Sequence, residues 1–198
     1  MKILLLACPR SGSTSLLYSL SKNLNLYPIS INPESYNHTS DKKLISYILE
    51  KDNIIVRSSV LINHQMSIIE FISKFDYTIL LSRENNEEHK ISFSNLYYKK
   101  MYNENMVHDT YTLSEIPNYI FELEDFILKF NKVCEEKKYI ENISNLLKLP
   151  IIYYEYLYYG KMGISTLKEF IPEIHISDLE KQLLSTKKMR KCIETKII

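Results

Sequence analysis

The segment Cys8-Pro9-Arg10-Ser11-Gly12-Ser13-Thr14-Ser15 concentrates the residue types that hold an anion. It joins an apolar run to a segment of helical periodicity, so it stands at a helix N-terminus, where backbone N–H groups and the helix dipole attract negative charge. The hydroxyls of Ser11, Ser13, Thr14 and Ser15 add donors, Gly12 permits close backbone approach, and Arg10 supplies a fixed positive charge. Gly12 is one of only three glycines in the chain, which makes its place in this loop informative. The chemistry offered is phosphate or sulfate binding. The alternative is a Ser/Thr cap on an ordinary helix, for which a single hydroxyl suffices. A nucleoside-triphosphate loop requires Gly, four residues, then Gly-Lys-Ser/Thr. With Gly12 as the second glycine, Ala7 stands at the first and Ser13 at the lysine, so that pattern fails.

Positioning such a loop requires a strand before it and a helix after it, and the rest of the chain repeats that alternation. Apolar runs rich in β-branched residues at 2–7, 54–56, 77–81 and 150–154 are separated by segments of helical period. The pattern predicts an α/β protein, a three-layer sandwich with a central, mainly parallel sheet of about 4–5 strands flanked by helices. Residues 14–26 place Leu16, Leu17, Leu20 and Leu24 on one helical face, and 41–50 repeat Leu44, Ile45, Ile48 and Leu49. Further helices are expected at 63–75, 87–101, 165–170 and 177–191, with 118–147 forming one long helix or two consecutive ones. Gly160 and Gly163 mark a turn. Residues 102–117 are polar and aperiodic, longer than an ordinary connection, and read as a lid or acceptor loop.

At 198 residues the chain suits one domain, 1–198, and 45% hydrophobic with 25% charged residues is ordinary globular composition. The net charge of +1 leaves no cationic surplus for a nucleic-acid backbone, so any anion must be held locally. Cys8, Cys134 and Cys192 are odd in number and far apart, which argues against a disulfide framework or a metal cluster. The apolar run 3–8 is shorter than a secretion signal needs, and Pro9-Arg10 follows at once. It reads as a buried first strand in a cytoplasmic protein, and no run approaches a membrane span.

Pro9-Arg10-Ser11-Gly12-Ser13-Thr14-Ser15-Leu16 resembles the 5′-phosphosulfate loop of sulfotransferases that use 3′-phosphoadenosine 5′-phosphosulfate (PAPS). Tyr77-Thr78-Ile79-Leu80-Leu81-Ser82-Arg83 followed by Ile91-Ser92-Phe93-Ser94 resembles that family's 3′-phosphate signature, a strand ending in Arg and a helix carrying Ser. Leu24-Asn25-Leu26-Tyr27-Pro28 resembles the family's exit from its first helix, and Tyr154-Glu155-Tyr156-Leu157 its Tyr-Glu-Asp-Leu. The Arg-Lys-Gly loop of the cytosolic branch has no counterpart beyond Arg190-Lys191, which read as a solvated helix end.

The resemblance implies a P-loop-like form of the fold, with PAPS as cofactor and PAP as product. Residues Arg10, Ser11, Gly12, Ser13, Thr14 and Ser15 would hold the 5′-phosphosulfate. Arg83 and Ser92, or Ser94 in its place, would hold the 3′-phosphate, with a surface salt bridge to Glu84 or Glu87 as the ordinary alternative for Arg83. Arg10 would stabilise charge developing on the leaving group. The general base is open between Glu34, by likeness to the carbohydrate-modifying branch, and His64, displaced from the position where the cytosolic branch has His and this chain has Ser59; His108-Asp109 is a third option. No metal is required in this scheme. The acceptor would be a small molecule or carbohydrate offering a hydroxyl or amine. A catalytically silent PAP-binding module and a P-loop nucleotide kinase or NTPase are the competing readings.

Overall fold

The computed structural model describes residues 1–31, 45–59, 66–101, 117–158 and 162–185. Glu34, His64, His108, Asp109, Gly160, Arg190 and most of the 102–117 loop lie outside the described residues.

Five strands form one parallel sheet in the order β2-β3-β1-β4-β5. They are β1 (Lys2–Ala7), β2 (Tyr27–Ser30), β3 (Ile54–Ser58), β4 (Tyr77–Ser82) and β5 (Ile151–Tyr153). The central strand β1 is apolar throughout after Lys2 because both of its faces are covered. Ile3, Leu5 and Ala7 face one layer with Leu16, Leu17 and Leu20 of α1 (Ser13–Leu24), while Leu4, Leu6 and Cys8 face the opposite layer. Ile3 through Leu6 are completely excluded from solvent, and burial of each such side chain contributes about 1.5–3 kcal/mol before chain entropy is subtracted. This is the three-layer α/β sandwich expected from the pattern.

The remaining helices are α2 (Ile68–Ile72), α3 (Asn86–Met101), α4 (Glu124–Leu147), α5 (Tyr154–Tyr158), α6 (Met162–Phe170) and α7 (Ile176–Ser185), with residues 45–50 also helical. A 3₁₀ turn at Asn118–Glu122 precedes α4, separated from it by Leu123 in extended conformation, so 118–147 is two consecutive pieces. α1 and α7 cover one face of the sheet; Ile140 and Ile143 of α4, Phe71 of α2 and Ile45 and Ile48 cover the other. Among the described residues no helix is long and apolar enough to cross a membrane.

Several boundaries differ from the sequence reading. α1 ends at Leu24 because Asn25 turns left-handed at φ 52° and donates its N–H to the Ser21 carbonyl. Tyr27-Pro28, read as the close of the helix exit 24–28, opens the strand Tyr27–Ser30; Pro28 is tolerated because β2 lies at the sheet edge beside β3 alone. The last strand stops at Tyr153, where it pairs with Ser82, the final residue of β4, and Tyr154 opens α5. Gly163 sits inside α6, not at a turn. A Cβ there would come within 2.8 Å of the Leu157 backbone, so glycine is what lets α5 and α6 pack closely.

Candidate functional site

The chain leaves β1 through α1 toward the β3–β2 side, whereas it leaves β4 through α3 and α4 toward β5. Two adjacent strands with diverging connections leave a crevice at their carboxyl ends, the place where parallel α/β sheets bind ligands. The loop 8–12 and Arg83 are the residues at that crevice.

The loop turns on two left-handed residues, Arg10 at φ 62° and Gly12 at φ 77°. Gly12 is the N-cap of α1, and no side-chain oxygen caps the helix. The simple capped-helix alternative is therefore not what the loop forms, and the amides of the first turn face the crevice with the positive end of the helix dipole. Ser11 is fully buried and donates its hydroxyl to the Cys8 carbonyl 2.7 Å away, which closes the turn. Thr14 Oγ1 accepts from Arg57 at 2.6 Å, which brings a further cation from the end of β3 to the helix start. Ser13 is buried and Ser15 half-buried.

α3 packs onto this loop. Arg10 Nε donates to the Ser92 carbonyl at 3.1 Å and lies 3.3 Å from its hydroxyl. His89, three residues earlier on the same face, places Nε2 2.7 Å from the Pro9 carbonyl; a carbonyl only accepts, so Nε2–H is the donor. Ser94, the other candidate hydroxyl, is fully buried and donates to the Ile91 carbonyl within its own helix.

Arg83 is only 3% exposed. It donates to the Glu88 carbonyl at 2.8 Å, and its guanidinium lies 4.2 Å from the centre of the Tyr154 ring. Its Nε has no hydrogen-bond partner, and among the described residues no carboxylate is within ion-pair distance, so it is not the surface salt bridge considered as an alternative. Arg10 is close enough that Arg83 lowers its proton affinity, after the larger effect of burial, with Tyr154 opposing. Two desolvated guanidiniums without an anion are costly, and an anion between them would relieve both.

Sequence reasoning missed the residues that frame these cations. Tyr154 and Tyr158, four apart on α5, lie 4.5 Å apart between centroids with their planes tilted by 33° and cover Gly12, whose carbonyl accepts from the Tyr158 hydroxyl at 3.0 Å. Their signal was the i, i+4 spacing. His89, also missed, carries an i, i+3 signal with Ser92, which the sequence had singled out. Glu136 stands in the buried stripe Val133, Ile140, Ile143 of α4, a carboxylate where the period calls for an apolar residue, and its Oε2 accepts from Ser59 at 2.7 Å.

His89 and Glu136 tie the site to pH in opposite directions. Burial holds the His89 ring well below its ordinary value of 6.5, at about 4, with Arg83 and Lys137 adding to the depression and the Pro9 carbonyl opposing it. As pH falls from 6.5 through 4 the unfolded chain takes up this proton first, so stability is lost. Burial raises Glu136 from 4.5 to about 7 against the Ser59 hydrogen bond. As pH rises from 4.5 through 7 the unfolded chain releases that proton first, so stability is again lost. Each contribution is at most about 3 kcal/mol, and the two slopes oppose where they overlap. Glu136→Gln is expected to steepen the gain in stability between pH 4.5 and 6.5, and His89→Gln to expose a loss over the same interval. Urea unfolding at stepped pH reads both, and parallel profiles for the two variants and wild type would refute the assignment.

No family model, no curated protein and no solved structure matches the chain.

Proposed function

We propose that this chain is a PAPS-dependent sulfotransferase acting on a hydroxyl or amine acceptor. The observation that carries the reading is Arg83, a nearly buried guanidinium with, among the described residues, an unpartnered Nε and no counter-ion, facing a second desolvated arginine at the crevice between β1 and β4. The residues present fit a ligand with two separated anionic groups: the uncapped N-terminus of α1 with Arg10 and Arg57 for one, Arg83 with the start of α3 for the other. A P-loop nucleotide kinase is disfavoured because Ser13 replaces the phosphate-binding lysine and β4 ends at Ser82, with no acid at the strand end to hold magnesium.

When bound, PAPS supplies an activated sulfuryl group whose S–O bond to the 5′-phosphate breaks as the acceptor forms its own bond to sulfur. The loose transition state makes positioning and charge stabilisation the protein's main contributions. Arg10 and the first-turn amides of α1 stabilise the charge that grows on the departing phosphate oxygen. Arg10 is held for this by Ser92, and the loop beneath it by His89. Glu34 and His64 keep their places as carried-over candidates for the base.

Calorimetric titration tests the reading. PAP in EDTA is expected to bind with micromolar affinity, and ATP with magnesium at least tenfold more weakly. Binding of ATP with magnesium alone would replace sulfuryl by phosphoryl chemistry. PAP binding without transfer from labelled PAPS to any acceptor would leave a silent nucleotide-binding module.

A further inference from the structure

Glu136 is the buried carboxylate that the scheme above leaves without a task. It is 7% exposed, belongs to the middle of α4, and accepts from the Ser59 hydroxyl at 2.7 Å. Ser59 directly follows β3, and Ser58 is level with Leu6 of β1, so Ser59 stands level with Ala7, the last residue of β1 before the anion loop begins at Cys8. Glu136 reaches the same place from the opposite layer, close enough to act on the Cys8 thiol. The neighbouring Lys137 points away, to the Glu84 carbonyl at 3.2 Å and Asn86 Oδ1 at 2.6 Å.

The charged and titratable groups around this part of the molecule are Cys8 just after β1, Arg83 after β4, His89 on α3, Glu155 on α5, and Lys137 and Glu141 on α4. Among the described residues none of the cations forms an ion pair with Glu136. A carboxylate without a cation, desolvated yet linked by a hydroxyl to the carboxyl ends of the strands, suits a group that takes and returns a proton. Burial raises its proton affinity into the neutral range, to about 7, which serves that role.

We propose that Ser59 and Glu136 form the proton-accepting pair of the site, with Ser59 touching the acceptor and Glu136 acting through it as a positioning residue that stores the proton. This rests on the sulfotransferase reading. The acceptor oxygen bonds to sulfur while the bond from sulfur to the 5′-phosphate oxygen breaks, its electron pair leaving on PAP. The acceptor proton passes to Ser59 Oγ, and the Ser59 proton passes to Glu136 Oε2, leaving a neutral carboxylic acid. Release of that proton to solvent resets the pair.

The test uses the full chain, with water as the acceptor probe, and follows PAP released from labelled PAPS alongside carbon-13 NMR of the glutamate carboxyls without ligand. One carboxyl is expected to titrate near pH 7, and PAP release is expected to fall below the same pH. Glu136→Gln should remove that resonance, slow release at least 100-fold and abolish the acid limb, with PAP affinity retained. Ser59→Ala should move the carboxyl titration upward and slow release comparably, and Ser59→Thr should restore it. Wild-type rates and pH profiles in Glu136→Gln and Ser59→Ala, with PAP still bound, would make the pair structural and overturn only this proposal. If Glu136→Gln does not fold, Ser59→Ala against Ser59→Thr decides by the same readouts. The absence of PAP binding, or of any release above the solution rate in wild type, would overturn the sulfotransferase reading and the pair with it.

Discussion

Arg83→Met is expected to lower PAP affinity at least 100-fold while leaving the folded state as stable as wild type or more so. Methionine keeps most of the buried length of the side chain and its contact with the Tyr154 ring, but carries no charge. In the ligand-free protein Arg83 is desolvated, has an unpartnered Nε and is repelled by Arg10. Replacing buried charge by well-packed apolar groups is often neutral or stabilising by about 1–4 kcal/mol. The lost hydrogen bond to the Glu88 carbonyl offsets about 1 kcal/mol of that gain. In the complex the balance reverses, because a phosphate would lose a desolvated guanidinium partner. Calorimetry for PAP and urea unfolding of the same samples separate the two effects. A variant that binds PAP like wild type but is destabilised by several kcal/mol would make Arg83 a structural residue.

Gly12→Ala is expected to destabilise the fold by about 2–5 kcal/mol and to weaken PAP binding in parallel. Holding a residue with a Cβ at φ 77° costs about 1–2 kcal/mol. The added Cβ would also come within 2.7 Å of ring atoms of both Tyr154 and Tyr158, and forcing such overpacking costs about 1–3 kcal/mol. The rings cannot yield without consequence. Tyr154 lies against Arg83, and Tyr158 donates to the Gly12 carbonyl, so their displacement disturbs both cation and loop. Urea unfolding of Gly12→Ala, compared with the same substitution in a Tyr154→Ala, Tyr158→Ala background, isolates the conformational part. A cost above 3 kcal/mol in the stripped background would show that the tyrosines are not the source of the clash.

The local pattern carried far where a single periodicity decided the outcome. The apolar run of β1, the leucine stripe of α1 and the loop between them follow from residue types and spacing, because burial on two faces, burial on one face and the need to satisfy helix-terminal amides each leave a short-range signature. Arg10 and Gly12 were legible for the same reason, whereas Arg83 was singled out only through the resemblance to the 3′-phosphate signature. β2 was less so, since a strand containing Pro28 is allowed only at an edge, and whether a strand lies at an edge is a property of the sheet. The end of β5 depended likewise on where β4 stopped pairing.

Tertiary structure alone decided which groups meet at the crevice. Ser92 faces Arg10 while Ser94 turns inward, because only one side of α3 packs on the loop. Tyr158 reaches Gly12 across 146 residues, and Glu136 reaches Ser59 across 77, separations at which sequence spacing carries no information about distance. The sequence by itself determined the layered α/β fold and a cationic turn at the head of the first helix, since both arise from interactions within a few residues. The strand order that sets the turn beside Arg83, and the burial that leaves that arginine without a counter-ion among the described residues, exist only once distant segments have packed.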